Sequence, residues 1–306
     1  MADERGTGGP TPTSLILPEH HLGVIAVQRH GKTEMLQTYC RTLPDNLVII
    51  DTAQRGEWAD GWGPVTSDPE AIPDLGMVVW QPDLEAVSHP ARDGSDPWSR
   101  GLAYIWGEPE PGEEYPGRAP ADCSGGVTIA SDEGLDWLGP DCHPKVLRMI
   151  VQGEGRHLGI WLGSQSNYGI HQRFLGGLRH RFIGRVGGAQ ERGVLESSWG
   201  TKLPDDVMST LGDENPKVRG RGRFYYQEQG SDEWVGPFKR QDLKLRRMRL
   251  GRPASAPETP AEPKRRPKKG IEPLPGIPKV SRNAPGRRPH RRTRPVTVSP
   301  PAISAP

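Results

Sequence analysis

The sequence has few cysteines and no long apolar run. Its three cysteines, Cys40, Cys123 and Cys142, are odd in number and show no CxxC spacing, which argues against both a disulfide framework and a zinc site. No apolar stretch approaches the roughly 18 residues needed to cross a bilayer, and residues 1–14 lack the apolar core of a signal peptide. These absences predict a soluble, cytoplasmic protein with no transmembrane segment of its own.

Acidic and basic residues are distributed unevenly along the chain. The formal net charge of +2 combines 40 Lys/Arg with 38 Asp/Glu. Residues 251–306 hold 13 of the basic and 3 of the acidic residues, which leaves 27 basic and 35 acidic residues in 1–250. An acidic body of net charge −8 is therefore followed by a basic tail of net charge +10. Such asymmetry indicates an anionic partner for the tail, either nucleic acid or a membrane surface.

The composition of residues 251–306 also differs from that of the body. They contain 14 prolines and the basic clusters KRRPKK (264–269) and GRRPHRRTR (286–294), with almost no large apolar side chains. Too little apolar surface is available there to offset the entropy of ordering the chain. We therefore predict a flexible arm over residues 1–14, one folded domain over 15–250, and a disordered basic tail after it.

Within the predicted domain, short apolar runs alternate with helix-like segments. The predicted strands cover residues 22–27, 47–51, 77–80, 126–131, 158–165, 180–186 and 221–229. The predicted helices cover residues 32–43, 143–152, 170–178 and 189–199, and a helix also fits residues 98–106, whose pattern is ambiguous. Strands that alternate with helices are typical of an α/β fold in which helices flank a mostly parallel sheet.

The strongest local signal is AVQRHGKT, over residues 26–33. It fits the P-loop pattern with alanine in place of the first glycine, and it lies between a predicted strand and a predicted helix, as that pattern requires. In such a loop, backbone N–H groups and the helix N-terminus surround an anion. The predicted phosphate-binding residues are Ala26, Val27, Gln28, Arg29, His30, Gly31, Lys32 and Thr33. Lys32 would reach the β- and γ-phosphates of ATP, and the Thr33 hydroxyl would bind Mg²⁺. An ordinary turn into a helix is the alternative.

Two predicted strands end in acidic residues that would serve such a site. Asp51 follows Thr33 by only 18 residues, one helix further on, so it ends the next strand. We therefore favour the adjacent pair Asp132 and Glu133. Asp132 would bind Mg²⁺ through water, and Glu133 would orient and deprotonate the attacking water. Asp136 is a less favoured alternate, and a solvated pair of loop acids is the alternative to a catalytic pair.

Further catalytic residues are predicted after the acid pair. Gln165 ends an apolar strand, where its amide would contact the γ-phosphate or the lytic water; capping of the strand end is the alternative. An arginine finger stabilises charge on the transferred phosphoryl group and often comes from a neighbouring subunit. Among several arginines we favour Arg156 and Arg185, because both border predicted strands. Most arginines are solvated surface residues, so neither is singled out by a motif.

The order of these motifs resembles the HerA/FtsK superfamily of DNA-pumping ATPases. The resemblance covers about residues 20–240 and rests on AVQRHGKT, VTIASDEGLDWL, GRHLGIWLGSQ and HRFIGRV, taken in that order. It implies a RecA-like P-loop core that uses ATP and Mg²⁺ and forms a homo-hexameric ring on double-stranded DNA, with ATP between subunits. The residues of this chain that match the family's motifs are Lys32, Thr33, Asp132, Glu133 and Gln165.

Several features of that superfamily have no counterpart here. From the sequence we expect no membrane helix and no β-barrel domain ahead of the P-loop. The predicted ATPase domain alone is similar to the genome-packaging ATPases of membrane-containing double-stranded DNA phages. We therefore expect an ATP-driven double-stranded DNA translocase, in the host cytoplasm or at a virion vertex. The basic tail would bind DNA, a capsid vertex or a membrane-anchored partner. The alternatives are an ATPase of a plasmid or conjugative DNA-transfer system, and a P-loop NTPase that does not act on DNA.

Overall fold

The structure is a computed structural model that describes residues 12, 16–43, 46–54, 56–58, 61–72, 76–107, 126–208, 222–243 and 245. The predicted tail, nearly all of the predicted arm, and Cys123 lie outside these residues. In the described ranges no helix is both long enough and apolar enough to cross a membrane.

The described chain forms nine strands and six α-helices. The strands are β1 (Leu22–Ile25), β2 (Asn46–Ile50), β3 (Val65–Thr66), β4 (Gly76–Trp80), β5 (Val127–Ser131), β6 (Leu158–Ser164), β7 (His180–Ile183), β8 (Arg223–Glu228) and β9 (Val235–Lys239). The helices are α1 (Lys32–Cys40), α2 (Leu84–Ser88), α3 (Pro97–Trp106), α4 (Pro144–Gln152), α5 (Gln172–Gly177) and α6 (Ala189–Trp199). Every predicted strand and helix is present with slightly different ends, whereas β3, α2 and β9 were not predicted.

All nine strands belong to one sheet, in the order β3-β4-β2-β5-β6-β1-β7-β8-β9. The pairs from β3 to β7 are parallel, whereas β8 pairs antiparallel with β7 and β9 pairs antiparallel with β8. The predicted α/β fold with a mostly parallel sheet is therefore confirmed. Because parallel strands end at the same edge, the loops after β1, β5, β6 and β7 meet at the carboxyl edge of the sheet.

Both faces of the sheet are buried. In β2, Val48 and Ile50 pack into one apolar cluster with residues of α3 to α6, while Leu47 and Ile49 pack into a second cluster on the face that carries α1. Alternate residues of a strand point to opposite faces, so a strand covered on both sides reads as a continuous apolar run. This is why the central strands were recognisable in the sequence.

The helix starts follow from their capping residues. The Asp96 carboxylate accepts the Ser99 N–H at 2.9 Å just before α3, with Pro97 as the first helical residue. His143 Nδ1 accepts the Lys145 N–H at 3.2 Å before α4, again with proline first. Proline suits the first turn because its missing N–H would have no helical partner there. The helix start that the sequence indicates at His143 is thereby confirmed.

Candidate nucleotide-binding site

The loop over residues 26–31 joins β1 to α1 at the carboxyl edge of the sheet. Its backbone is held by neighbouring strands, since Ala26 N donates to Ser164 O at 3.1 Å and Val27 N donates to Arg185 O at 2.8 Å. No side chain caps the N-terminus of α1. The first N–H groups of a helix have no intrahelical acceptor, and they attract anions. The loop therefore has the backbone arrangement that the sequence predicts for phosphate binding.

Two residues of this loop have a left-handed backbone: Gly31 with φ 93° and Arg29 with φ 63°. Glycine adopts this conformation freely, whereas for a residue such as arginine it costs on the order of 1 kcal/mol. The side chains of Gln28 and Arg29 are exposed and line the cleft above the loop. The conformation of Arg29 is the strained point of the loop.

The side chain of His30 turns away from that cleft into the protein. It is 5% exposed, and its Nε2 donates to the backbone oxygen of Arg223 at 2.9 Å. Burial lowers the pKa of His30, so the imidazole is neutral near pH 7. The buried position of the side chain does not affect the prediction that the backbone of His30 binds phosphate. The imidazole itself packs against β8 and does not line the cleft.

Lys32 and Thr33 open helix α1 beside the acidic residue that follows β5. Lys32 is 7% exposed, and its Nζ donates to Val27 O at 3.2 Å. Burial lowers the pKa of Lys32, and the carboxylates of Asp132 and Glu133 oppose that shift. The hydroxyl of Thr33 donates a hydrogen bond to Oδ2 of Asp132, across 99 residues of sequence. The structure thus brings the predicted P-loop and the predicted acid together.

The second carboxylate oxygen of Asp132 is buried and has no hydrogen-bond partner among the residues described. Burial raises the pKa of Asp132, against the lowering effects of the Thr33 hydrogen bond and of Lys32. A buried polar atom without a partner is costly, and a cation is the natural partner for a carboxylate oxygen. This atom makes the site fit a bound metal ion.

Glu133 and Gln165 lie next to each other at the same edge. Gln165 Nε2 donates to Glu133 Oε1 over a long 3.4 Å. The contact follows from topology, because β6 is paired with both β1 and β5, so the residue after β6 lies between the P-loop and the acid pair. The predicted phosphate sensor and the predicted general base are therefore neighbours.

These residues line one cleft of about 580 Å³. Its lining consists of Gln28, Arg29, Gly31, Lys32, Thr33, Glu34, Gln37, Glu57, Asp132, Glu133 and Gln165. Glu57 was missed by sequence reasoning. It lies in the loop after β2, where no motif marks it, and Gln37 Nε2 of α1 donates to its backbone oxygen at 2.9 Å.

The less favoured acids have structural partners. Asp51 is 5% exposed; its carboxylate accepts the Gln54 N–H and the Gln81 amide, each at 3.0 Å. Asp136 accepts the Thr52 hydroxyl at 2.8 Å. Both residues thus tie loops together at the carboxyl edge, and the Thr33 contact favours Asp132 over either of them as the residue opposite the P-loop.

The two favoured arginines lie at different edges of the sheet. Arg185 follows β7, is exposed, and holds the P-loop through its backbone oxygen. Arg156 precedes β6, and its guanidinium lies over the Trp106 ring at 4.5 Å. Seven residues of β6 separate Arg156 from the cleft, which at about 3.3 Å per residue is on the order of 20 Å. The structure therefore does not bring Arg156 to the cleft of its own chain.

The fold and this loop geometry are those of a P-loop NTPase core. No protein-family model matches the chain, and no curated protein sequence matches it. Among solved structures, the genome packaging NTPase B204 from Sulfolobus turreted icosahedral virus 2 in complex with AMP matches with a TM-score of 0.51 at 13% identity, covering 72% of this chain and 98% of that chain. The same NTPase in complex with AMPPCP gives a TM-score of 0.50 at 13% identity, covering 73% and 100%.

A looser match is the cytoplasmic domain of the Thermomonospora curvata type VII secretion ATPase EccC, with a TM-score of 0.42 at 17% identity, covering 72% of this chain and 25% of that chain; this likeness is too weak to support a conclusion. The similarity to B204 shows a shared fold.

Proposed function

We propose that this chain is a Mg²⁺-dependent ATP hydrolase of the P-loop class. The observation that carries the proposal is the hydrogen bond from Thr33 to Asp132, with the Lys32 ammonium beside it. These are the three side chains that a P-loop ATPase needs at the β- and γ-phosphates and the metal. They come from two distant segments of sequence, and both segments end at the same cleft. The similarity of the fold to an NTPase supports the same class of enzyme.

The charges of the cleft indicate how the nucleotide is held. Among the residues that the structure describes, four carboxylates line it, from Glu34, Glu57, Asp132 and Glu133, and two cations, Arg29 and Lys32. A polyanionic triphosphate would be repelled by this balance unless further positive charge accompanied it. Nucleotide binding is therefore expected to depend strongly on a divalent cation.

Thr33 and Asp132 would hold Mg²⁺. No group of three or more His, Cys, Asp or Glu side chains is placed to hold a metal within the described part of the chain, which suits Mg²⁺, because it keeps several waters and binds through one or two carboxylates and substrate phosphates. When bound, the ion would neutralise charge on the phosphates. Asp132 would hold the ion with its carboxylate, which Thr33 contacts through Oδ2.

Glu133 is the proposed general base. It follows Asp132 directly and faces the cleft, where it would take a proton from the attacking water. Gln165, whose amide contacts Glu133, would orient that water or the γ-phosphate. The two arginines would stabilise charge on the transferred phosphoryl group. Arg185 follows β7, where its backbone oxygen holds the P-loop of its own chain, whereas Arg156 would have to serve the nucleotide of a neighbouring copy.

We further propose that hydrolysis drives the movement of double-stranded DNA, with viral genome packaging as the favoured setting. The support is the motif order and the fold shared with a genome packaging NTPase. A homo-hexameric ring would place ATP between subunits. The basic region after residue 250 would bind DNA or a partner at a capsid vertex or membrane. An ATPase for plasmid or conjugative DNA transfer, and a P-loop NTPase without a DNA substrate, are the competing functions.

The test is phosphate release by the full chain with and without double-stranded DNA, for the wild type, Lys32→Ala and Glu133→Gln. We expect Mg²⁺-dependent turnover that DNA stimulates. Lys32→Ala should lose nucleotide affinity, while Glu133→Gln should retain it and lose turnover. If DNA does not change turnover, the proposed ATPase activity stands and the proposed DNA translocase is wrong. If the wild type neither binds nor hydrolyses Mg·ATP, both proposals are wrong.

A further inference from the structure

The imidazole of His30 connects the phosphate loop to strand β8. His30 directly precedes Gly31, the last loop residue before α1. Its Nε2 donates to the backbone oxygen of Arg223, 193 residues further along the chain. Its ring also meets the ring of Phe224 edge-on, with centroids 5.0 Å apart. A residue in the middle of the nucleotide-binding motif is thus fastened to the antiparallel end of the sheet.

Two glycines make room for this imidazole. A Cβ added to Gly184 would lie 2.3 Å from His30 Cδ2, and one added to Gly222 would lie 2.4 Å from the same atom. Both distances are far below the 3.5–4.0 Å of ordinary carbon contact. Neither glycine has a left-handed backbone, so the backbone conformation does not require glycine at these positions. Glycine is required because the His30 side chain approaches both positions closely.

The loop is also held on the other side of its strained residue. Val27 N donates to Arg185 O at 2.8 Å, and His30 is anchored at β8, so the left-handed Arg29 lies between two fixed points. Such a conformation persists only where its surroundings over-determine it. The contacts of His30 supply that constraint, and they also set the direction in which the following N–H groups point.

We propose that His30 is a positioning residue that couples the phosphate loop to β7 and β8. The loop takes its phosphate-binding conformation while these strands hold the imidazole, and a shift of β8 changes the affinity for nucleotide. Coupling between two sites is reciprocal, so nucleotide binding in turn changes the stability of β8 locally. This inference rests on the proposed function, because the phosphates of Mg·ATP are taken as the ligand of the loop.

The first test uses Gly184→Ala, a change outside the cleft that displaces the imidazole. We measure the affinity of the full chain for a non-hydrolysable ATP analogue with Mg²⁺, and expect a loss of at least about tenfold, since small displacements of positioned groups have effects of this size or larger. The matched control is His21→Gln, which alters another buried imidazole, one that accepts the Ile160 N–H and donates to Ile150 O at the opposite edge of the sheet. Its affinity should equal that of the wild type.

A double variant separates coupling from general damage. In His30→Ala the ring that Gly184→Ala strikes is gone, and only the clash with Ala26 Cβ at 2.8 Å remains. The double variant should therefore lose less nucleotide affinity than the two single variants lose together. Contacting residues give such non-additive effects, whereas independent sites add. Fully additive losses would show that Gly184 acts by another route and would overturn the proposal.

A second readout needs no nucleotide. Phe224→Leu removes the ring that packs against His30, and it should speed backbone amide hydrogen exchange over residues 27–31, while His21→Gln should not. If exchange responds in this way but the wild type binds no nucleotide, the coupling stands and the proposed function fails. If the wild type binds nucleotide while neither Gly184→Ala nor Phe224→Leu affects the loop, the proposed role of His30 is wrong.

Discussion

Gly163 lies directly against the carboxylate of Asp132. A Cβ added to this glycine of β6 would be 2.5 Å from Oδ1 of Asp132 and 3.4 Å from its Cα. The strand that ends in Gln165 therefore needs a residue without a side chain where it passes the acid that faces Thr33. This relationship gives a physical reason for the glycine in the segment LGSQ, which sequence reasoning used as a motif without explaining it.

We expect Gly163→Ala to displace the Asp132 carboxylate, which should lower both the affinity for Mg²⁺ and the turnover rate. The turnover rate should fall by about a hundredfold if the shift approaches 1 Å. The measurement is phosphate release as a function of Mg²⁺ concentration. The matched control is Gly193→Ala, in the middle of α6, where an added Cβ meets nothing within 4 Å. This control should stabilise the fold by roughly 0.5–1 kcal/mol and leave turnover unchanged. Equal effects of the two variants would contradict the steric explanation.

Asp132→Asn should stabilise the nucleotide-free protein while it removes activity. Burial raises the pKa of Asp132, so the ionised form opposes folding, and an amide of the same shape should raise the free energy of unfolding by about 1 kcal/mol. Denaturant unfolding of both proteins at pH 7 checks the sign.

The same pair of proteins also yields a pH dependence. A carboxyl with a raised folded-state pKa regains stability as the pH falls through that pKa, towards the ordinary value of about 3.9. The advantage of Asp132→Asn should therefore shrink as the pH falls from 7 towards the ordinary carboxyl pKa. An advantage that grew on acidification would mean that Asp132 is stabilised as an anion in the absence of ligand.

His180 should make the fold sensitive to acid independently of the active site. It is fully buried, lies 2.8 Å from His20 and 2.9 Å from the Tyr226 hydroxyl, and burial lowers its pKa to about 3. A group whose folded pKa lies below the unfolded value of about 6.5 costs stability as the pH falls through that window, here about 2 kcal/mol at pH 5. Unfolding at pH 7.5 and pH 5 measures this loss.

The control for this effect is His180→Gln, which removes the titrating group. It should be less stable than the wild type at pH 7.5, because the contacts with His20 and Tyr226 are disturbed, but its loss of stability between pH 7.5 and pH 5 should be smaller. Some loss will persist, since burial also lowers the pKa of His20 and His21. An unchanged pH dependence would show that His180 is not the group responsible.

The sequence predicted the parts of the fold that local patterns encode. The central strands are apolar throughout because both faces are covered, and the P-loop motif marks its own strand and helix. Strand β3 has only two residues, and β9 is a short strand whose exposure is mostly intermediate, so neither carries a strong apolar pattern. Their existence depends on pairing with β4 and β8, which is information from outside the segments.

Some residues of the candidate site are likewise marked by local patterns in the sequence, whereas others are placed only by packing. Lys32, Thr33, Asp132 and Gln165 sit at the ends of recognisable strands or at a helix start, so motif order was sufficient to find them. Glu57 lies in a loop with no periodic pattern, and it enters the cleft only because α1 packs beside that loop. The inward turn of His30 could not be foreseen either, because it depends on the two glycines that flank it from distant segments.

Arg156 and Arg185 can be distinguished by mixing inactive proteins. Suppose that Arg156 serves the nucleotide of a neighbouring copy. Arg156→Ala then keeps an intact cleft but supplies no arginine to its neighbour, while Lys32→Ala supplies the arginine but has an inactive cleft. Loss of an arginine finger lowers turnover by about a thousandfold or more, so each protein alone should be nearly inactive. A mixture would create interfaces in which an intact cleft meets an intact arginine, and turnover should recover in proportion to their number. If Arg185, whose backbone holds the P-loop of its own chain, serves that chain's cleft, a mixture of Arg185→Ala with Lys32→Ala should stay inactive. Recovery with Arg185→Ala and none with Arg156→Ala would reverse the two assignments.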